Sequence, residues 1–164
     1  AFFSVEDYAD RNLDRQSMLT VMHYDNATRY NDRVLDSLLL FYESMEAIVV
    51  FIPDHGEEVY DDLPVQGRLF QKPDFYQARN EYEVPLWIWC SQSYSELHPD
   101  IVALIKDATG RPLMSDNIPQ LLLYLADINS QWTSEEQNVL STSYRKNRRI
   151  IGGEVDYDSI VTND

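Results

Sequence analysis

The stretch Ala47-Ile48-Val49-Val50-Phe51-Ile52-Pro53-Asp54-His55-Gly56-Glu57-Glu58 decides how the chain is read. Its first half is a short, continuous apolar run rich in β-branched residues. Such a run without alternation predicts a strand buried on both faces, as in a parallel sheet covered by helices. Pro53 stops it, because a strand ladder loses a donor there. The chain then turns polar at the carboxyl end of the strand, where open α/β sheets bind ligands. Asp54 and His55 offer a hard oxygen and a borderline nitrogen side by side, and both types reach zinc at ~2.0–2.2 Å. Consecutive side chains on a regular strand face opposite ways. Both residues can therefore hold one ion only if the chain has left the strand, and Gly56 makes that turn easy. Two donors do not close a site, so further ligands must come from elsewhere. The plainer alternative is a polar turn capped by Asp54.

Upstream, Val34, Leu38, Phe41, Tyr42 and Met45 recur on one face of a 3.6-residue period. They predict helix between Gln16 and Met45, either unbroken or divided near Asn26, with Met18 and Met22 extending the apolar pattern. Ser4 and Asp7 have capping-box spacing for a short helix before Leu13. Downstream, residues 63–83 carry Pro64, Gly67 and Pro73 and no clean period, which predicts a long excursion. Val84–Cys90 is a second buried strand. His98-Pro99-Asp100 opens a helix with Ile101, Leu104, Ile105 and Ala108 on one face and Gly110 as its stop. Ser115 or Asp116 caps another, carrying Ile118, Leu121, Leu122, Leu125 and Ile128. Thr133 or Ser134 caps a turn at Glu135-Glu136. The alternation makes the class α/β. The core is expected over about 18–130. The tail, 144–164, switches from basic Arg145, Lys146, Arg148 and Arg149 to acidic Glu154, Asp156, Asp158 and Asp164, and is expected to be peripheral.

The chain has 164 residues, 28 Asp+Glu against 13 Lys+Arg, and a net charge of -15. Length and composition suit one globular domain. The acidity repels phosphate backbones, so no nucleic-acid partner is expected. Part of it, in Asp54, Glu57, Glu58, Asp61 and Asp62, crowds the end of one strand, where a cation would relieve repulsion. No apolar run approaches the ~20 residues of a membrane span. Cys90, alone, allows no internal disulfide and reads as a small buried hydrophobe. His23 and His98 have no partner at zinc spacing and read as structural. Trp87 and Trp89 read as packing residues.

Three blocks together resemble one family. Ile48–Glu57 is similar to the strand and Asp-His-Gly-Glu segment of the sulfatase-like, alkaline-phosphatase superfamily. Within it the resemblance is to bacterial phosphoethanolamine transferases. Tyr24-Asp25-Asn26-Ala27-Thr28-Arg29-Tyr30-Asn31-Asp32 resembles the helix ahead of that strand, and Glu83–Trp89 the strand after it. Order and spacing match over Met18 to Ile128, and the Asp-His-Gly-Glu-Glu-Val-Tyr-Asp form is most like the Bacteroidetes branch.

The resemblance implies a three-layer α/β/α fold with a mainly parallel sheet, incomplete in this chain, whose residues 1–164 form the C-terminal portion of a catalytic domain. It implies zinc as cofactor, with Asp54 and His55 as ligands. Glu57, next in the motif, is then a candidate for standing behind these ligands and orienting the His or a neighbouring donor. It also implies transfer of phosphoethanolamine from a phospholipid donor, through a phospho-threonine upstream of this chain, to lipid A or a related surface glycan. The parent protein would be membrane-anchored at the periplasmic face of the inner membrane. Many members carry a His-Gly pair after the motif. Gln66-Gly67-Arg68 stands here instead, so Arg68 is the candidate for phosphate contact, against the alternative of a solvated loop arginine. The alternatives are a sulfatase or phosphodiesterase of the same superfamily, or a non-catalytic binding module. This portion alone is expected to be nearly inactive, to bind zinc weakly and, with unpaired sheet edges, to self-associate.

Overall fold

The computed structural model describes residues 2–69 and 72–161. Ala1, Phe70 and Gln71 of the excursion, and the end of the tail including Asp164, lie outside the described residues.

A 3-10 turn at Val5–Tyr8 follows Ser4, whose backbone N–H donates to Asp7 Oδ2 at 2.7 Å. Helix α1, Arg15–Tyr42, is unbroken through Asn26. Asp14 caps it by accepting from the Ser17 N–H at 2.9 Å, a bond that holds the Asp14 carboxyl below its ordinary pKa. The first half of α1 is pinned by Val21, which packs with Tyr8, Val59, Leu13 and Met18. Asp25 accepts from the Tyr8 hydroxyl at 2.5 Å, and Asn26 bonds both backbone groups of Phe3. The polar motif on this helix thus clamps the N-terminal segment. The apolar residues expected to form its core face, Val34, Leu38, Phe41 and Met45, are exposed.

Strand β1, Ile48–Phe51, leads to β2, Glu58–Val59, and β3, Gln66–Gly67, which pair as a short hairpin. One turn of helix α2, Phe75–Gln77, continues into a π-helical turn at Ala78–Tyr82. Strand β4, Trp87–Cys90, then pairs with β1. Helices α3, Gln92–Leu97, α4, Pro99–Asp107, and α5, Ile118–Leu125, follow. Pro99 occupies a first-turn position, where its missing N–H costs nothing. Ser91 caps α3 and also accepts from the Ala47 N–H at 3.2 Å, tying that helix to the start of β1. Strands β5, Ile150–Ile151, and β6, Val155–Asp156, form a hairpin before helix α6, Tyr157–Val161.

Two expectations change. Among the described residues every strand pair is antiparallel, including Val50 opposite Ile88 and Phe51 opposite Trp87. The 63–83 excursion brings the chain back to the end of β1 from which it left, and a parallel partner requires a crossover to the other end. Both β1 and β4 are only half-buried, because each has one strand neighbour. Val50 and Ile88 share one face and pack on the cluster of Ala108, Leu121, Val139 and Leu140 beneath α4 and α5. Phe51 and Trp87 share the other, their rings stacked at 5.0 Å.

Nor is the described part of the tail peripheral. Ile151, Val155 and Tyr157 are buried against Ala78 of the π turn. The hairpin turns through Gly152 and Gly153, both at positive φ (57° and 79°). Ion pairs span the turn: Arg148 meets Asp156 at 3.1 Å, and Lys146 meets Asp158 at 2.8 Å. The core likewise reaches beyond 18–130, to Val5 and Tyr8 at one end and Tyr157 at the other.

Candidate metal and phosphate site

Asp54, His55 and Gly56 leave the end of β1 as a turn. His55 Nε2 lies 3.7 Å from Asp54 Oδ2. Ligands at ~2.0–2.1 Å on a tetrahedral zinc stand about 3.4 Å apart, so this spacing is close to what one ion requires. His55 Nδ1 is 2.8 Å from the Gly56 carbonyl oxygen. With Nδ1–H donating to that carbonyl, Nε2 keeps a free lone pair on the side of Asp54. The Asp54 side chain is 90% exposed, and its Oδ1 accepts from the His55 N–H at 3.1 Å. The donor set, carboxylate and neutral imidazole, suits zinc. Among the described residues no group of three or more His, Cys, Asp and Glu is arranged to hold a metal, so these two donors stand as part of a site.

Gly56 is fixed by crowding. A Cβ there would sit 2.2 Å from the Asn80 carbonyl oxygen. The Gly56 N–H donates to the Glu81 carbonyl at 3.0 Å, which bolts the turn to the π-helical segment. Sequence reading assigns Gly56 to turn flexibility; the structure assigns it to close backbone approach.

Behind the turn lie two fully buried carboxylates. Glu58 Oε1 accepts from the Asp61 and Asp62 N–H groups at 2.6 and 3.1 Å, and Oε2 from Asn80 Nδ2 at 2.7 Å. Its charge is met by amides, where the acidic run had suggested relief by a cation. Glu81 Oε1 accepts from the Leu69 N–H at 3.1 Å, while Oε2 is buried without a partner. Glu81 thus ties the loop carrying Arg68 to the turn carrying Asp54 and His55. Nothing in the sequence separates Glu58 and Glu81 from their charged neighbours, because their burial comes from chain segments far apart along it.

Asp54, His55 and Arg68 line one cavity of about 600 Å³, together with Glu81, Glu83 and Arg149. Glu57 faces away from it, into a groove between α1 and the Phe51–Trp87 face that His55 also reaches. There Tyr24 has its pKa pushed up by burial and by the nearby Glu57 carboxylate. The structure therefore brings Asp54, His55 and Arg68 to one side and leaves Glu57 on the other. Arg149 is absent from the sequence-based site, since it falls in the basic run read as peripheral. His98 Nε2 lies 2.7 Å from Glu46 Oε1 and its ring packs tilted against Tyr94, a structural use, and His23 is exposed on α1. Burial pushes the Cys90 thiol up, away from a nucleophile's range.

No protein-family model matches the chain. It is 27% identical to phosphoethanolamine transferase EptC of Escherichia coli (strain K12), over 96% of this chain and 28% of that protein. It is also 27% identical to phosphoethanolamine transferase CptA of Salmonella typhimurium, with the same coverage. The crystal structure of the C-terminal periplasmic domain of EptC from Escherichia coli superposes with a TM-score of 0.77 at 25% identity, over 94% of this chain and 44% of that one. The zinc complex of that domain gives 0.75. The chain thus matches part of the sulfatase-like fold of that periplasmic domain. The chain is homologous to the phosphoethanolamine transferases EptC and CptA over most of its length. It spans 28% of the length of these curated relatives. No helix among the described residues is long and apolar enough to cross a membrane.

Proposed function

We propose that the chain is the C-terminal portion of the catalytic domain of a zinc-dependent phosphoethanolamine transferase. The observation that carries this is the Asp54–His55 pair, spaced for one ion at the end of β1, in a chain homologous to that family. Asp54 and His55 hold the zinc. Zinc bound there supplies Lewis-acid polarisation of a phosphoryl oxygen and acidifies the attacking hydroxyl. His55 is kept in the ligating tautomer by the Gly56 carbonyl, and Glu81 keeps the turn and the Arg68 loop in register. Arg68 contacts the phosphoryl group. Glu57 supports the turn from the groove on the opposite side.

The remaining zinc ligands and the nucleophilic threonine belong to parts of the domain upstream of these residues. Those parts also supply the strands that make the sheet mainly parallel and three-layered. The donor is a phospholipid and the acceptor lipid A or a related surface glycan. One relative is named as acting on Kdo2-lipid A. The domain works at the periplasmic face of the inner membrane, in a membrane-anchored protein.

The test is transfer of phosphoethanolamine by the intact, zinc-loaded protein to a lipid A acceptor. Transfer that disappears in Asp54→Asn, together with bound zinc, is the expected result. Full activity and full zinc content in Asp54→Asn overturn the assignment. The isolated 164-residue chain is expected to turn over an activated phosphodiester negligibly.

A further inference from the structure

We propose that Arg68 and Arg149 form an anion subsite in the cavity beside Asp54 and His55, and that it receives a phosphate group of a substrate. The inference rests on the transferase reading for what that substrate is. The subsite itself rests on geometry.

Arg149 comes from the tail and Arg68 from the loop after β3, so only the fold brings them to one cavity. Each guanidinium lies over a tyrosine of that same cavity. Arg68 Cζ is 5.6 Å from the Tyr82 ring centroid and Arg149 Cζ 4.3 Å from that of Tyr157. Tyr82 packs on the cluster containing Tyr157, so the two stacks stand on one support. A guanidinium laid on a ring can offer its N–H edge to a planar or tetrahedral oxyanion, although Arg149 already gives its Nε and Nη2 to Asp158.

Among the described residues Arg68 makes no ion pair, and its buried Nε has no hydrogen-bond partner. That is unusual in a chain with 28 carboxylates. Each carboxylate lining the cavity has one oxygen engaged, and Glu81 Oε2 is buried without a partner. Glu83 accepts from the Tyr157 hydroxyl, Glu81 Oε1 from Leu69 N–H, and Asp54 from His55 N–H. Arg149 is held by Asp158, which also accepts from Lys146 at 2.8 Å, so this second cluster carries more cation than anion. A guanidinium with no ion pair among the described residues and an anchored one, lining the cavity with Asp54 and His55, call for a doubly or singly charged oxyanion. A phosphomonoester on the acceptor and the phosphodiester of the donor both present that chemistry.

The primary probe is inorganic phosphate, titrated into the intact protein by calorimetry. Arg68→Gln and Arg149→Gln should each weaken phosphate about tenfold, the loss of one charge-assisted contact. Arg149→Lys should recover part of that loss. Asp158→Asn, which keeps the Arg149 charge and removes the carboxylate that competes for its N–H groups, should leave phosphate affinity no weaker than in the parent. Unchanged affinity in both glutamine variants overturns the subsite. So does an Asp158→Asn loss equal to that of Arg149→Gln, because it would make Arg149 a tail anchor only.

Turnover separates the sources of the phosphate. A raised KM for a soluble sugar monophosphate acceptor in Arg149→Gln assigns the subsite to the acceptor. A raised KM for short-chain phosphatidylethanolamine assigns it to the donor. An intact protein that transfers nothing, yet loses phosphate in both glutamine variants, overturns the transferase reading and leaves the subsite standing.

Discussion

The turn at Asp54–His55 and the network behind it, Glu58, Asn80 and Glu81, contain the same kinds of residue and do opposite work. Asp54 is almost fully exposed and, among the described residues, bonded to its neighbour His55, whereas Glu58 and Glu81 are sealed from solvent and each is bonded to at least one segment well away along the chain. An exposed carboxylate keeps its lone pairs for a ligand and contributes little to stability. A buried one spends its lone pairs on backbone amides and fixes the geometry of what stands in front of it. Charge count alone does not distinguish them.

The sharpest break should come at Gly56. Gly56→Ala places a methyl against the Asn80 carbonyl and loosens the Gly56–Glu81 bond, and should cost about 3 kcal/mol. Denaturant unfolding of the intact protein would measure this, and zinc content should fall with it. Next is Glu58→Ala, which strands the Asp61 and Asp62 amides and Asn80, at about 2 kcal/mol by the same measurement. Asp54→Asn should lie within about 0.5 kcal/mol of the parent in stability. It should nevertheless lose bound zinc in metal analysis. A large stability loss there would erase the distinction between exposed site and buried scaffold.

The smallest effect is a pH dependence in the tail. Arg149 and Lys146 hold the Asp158 carboxyl down at about 2, below the ordinary 3.8. A carboxyl with a lowered folded-state value stabilises above its unfolded value and loses that contribution as pH falls through the folded one. Docking of β5, β6 and α6 should therefore weaken between about pH 4 and pH 2, read by amide exchange at Ile151 and Val155. Asp158→Asn should flatten that part of the profile.

Much of the fold was legible because its signals are local. The apolar run at 48–51, the proline at the start of α4, the Ser4–Asp7 box and the period of α1 each depend on residues within a few positions. Burial was less legible. Val21 and Leu38 lie on the same helix with similar hydrophobicity, yet Val21 is buried and Leu38 exposed. Periodicity says that a face is apolar and leaves open what covers it. The same gap explains the tail. Its alternating charge blocks looked solvated, but a basic run and an acidic run flanking Gly152-Gly153 are also what a hairpin needs for cross-strand pairing.

By itself the sequence determined the strand that ends at Pro53, the juxtaposition of Asp54 and His55, and the three-block order that points to phosphoethanolamine transferases. Covalent neighbours stay neighbours in any fold, so a two-residue motif survives the reading. Only the tertiary structure decided the antiparallel return of β4, the burial of Glu58 and Glu81, the crowding that requires Gly56, and the placing of Arg68 and Arg149 on one cavity. Each of these joins segments separated by a long loop, and a contact between distant segments is set by packing and hydrogen-bond satisfaction, which no local pattern encodes.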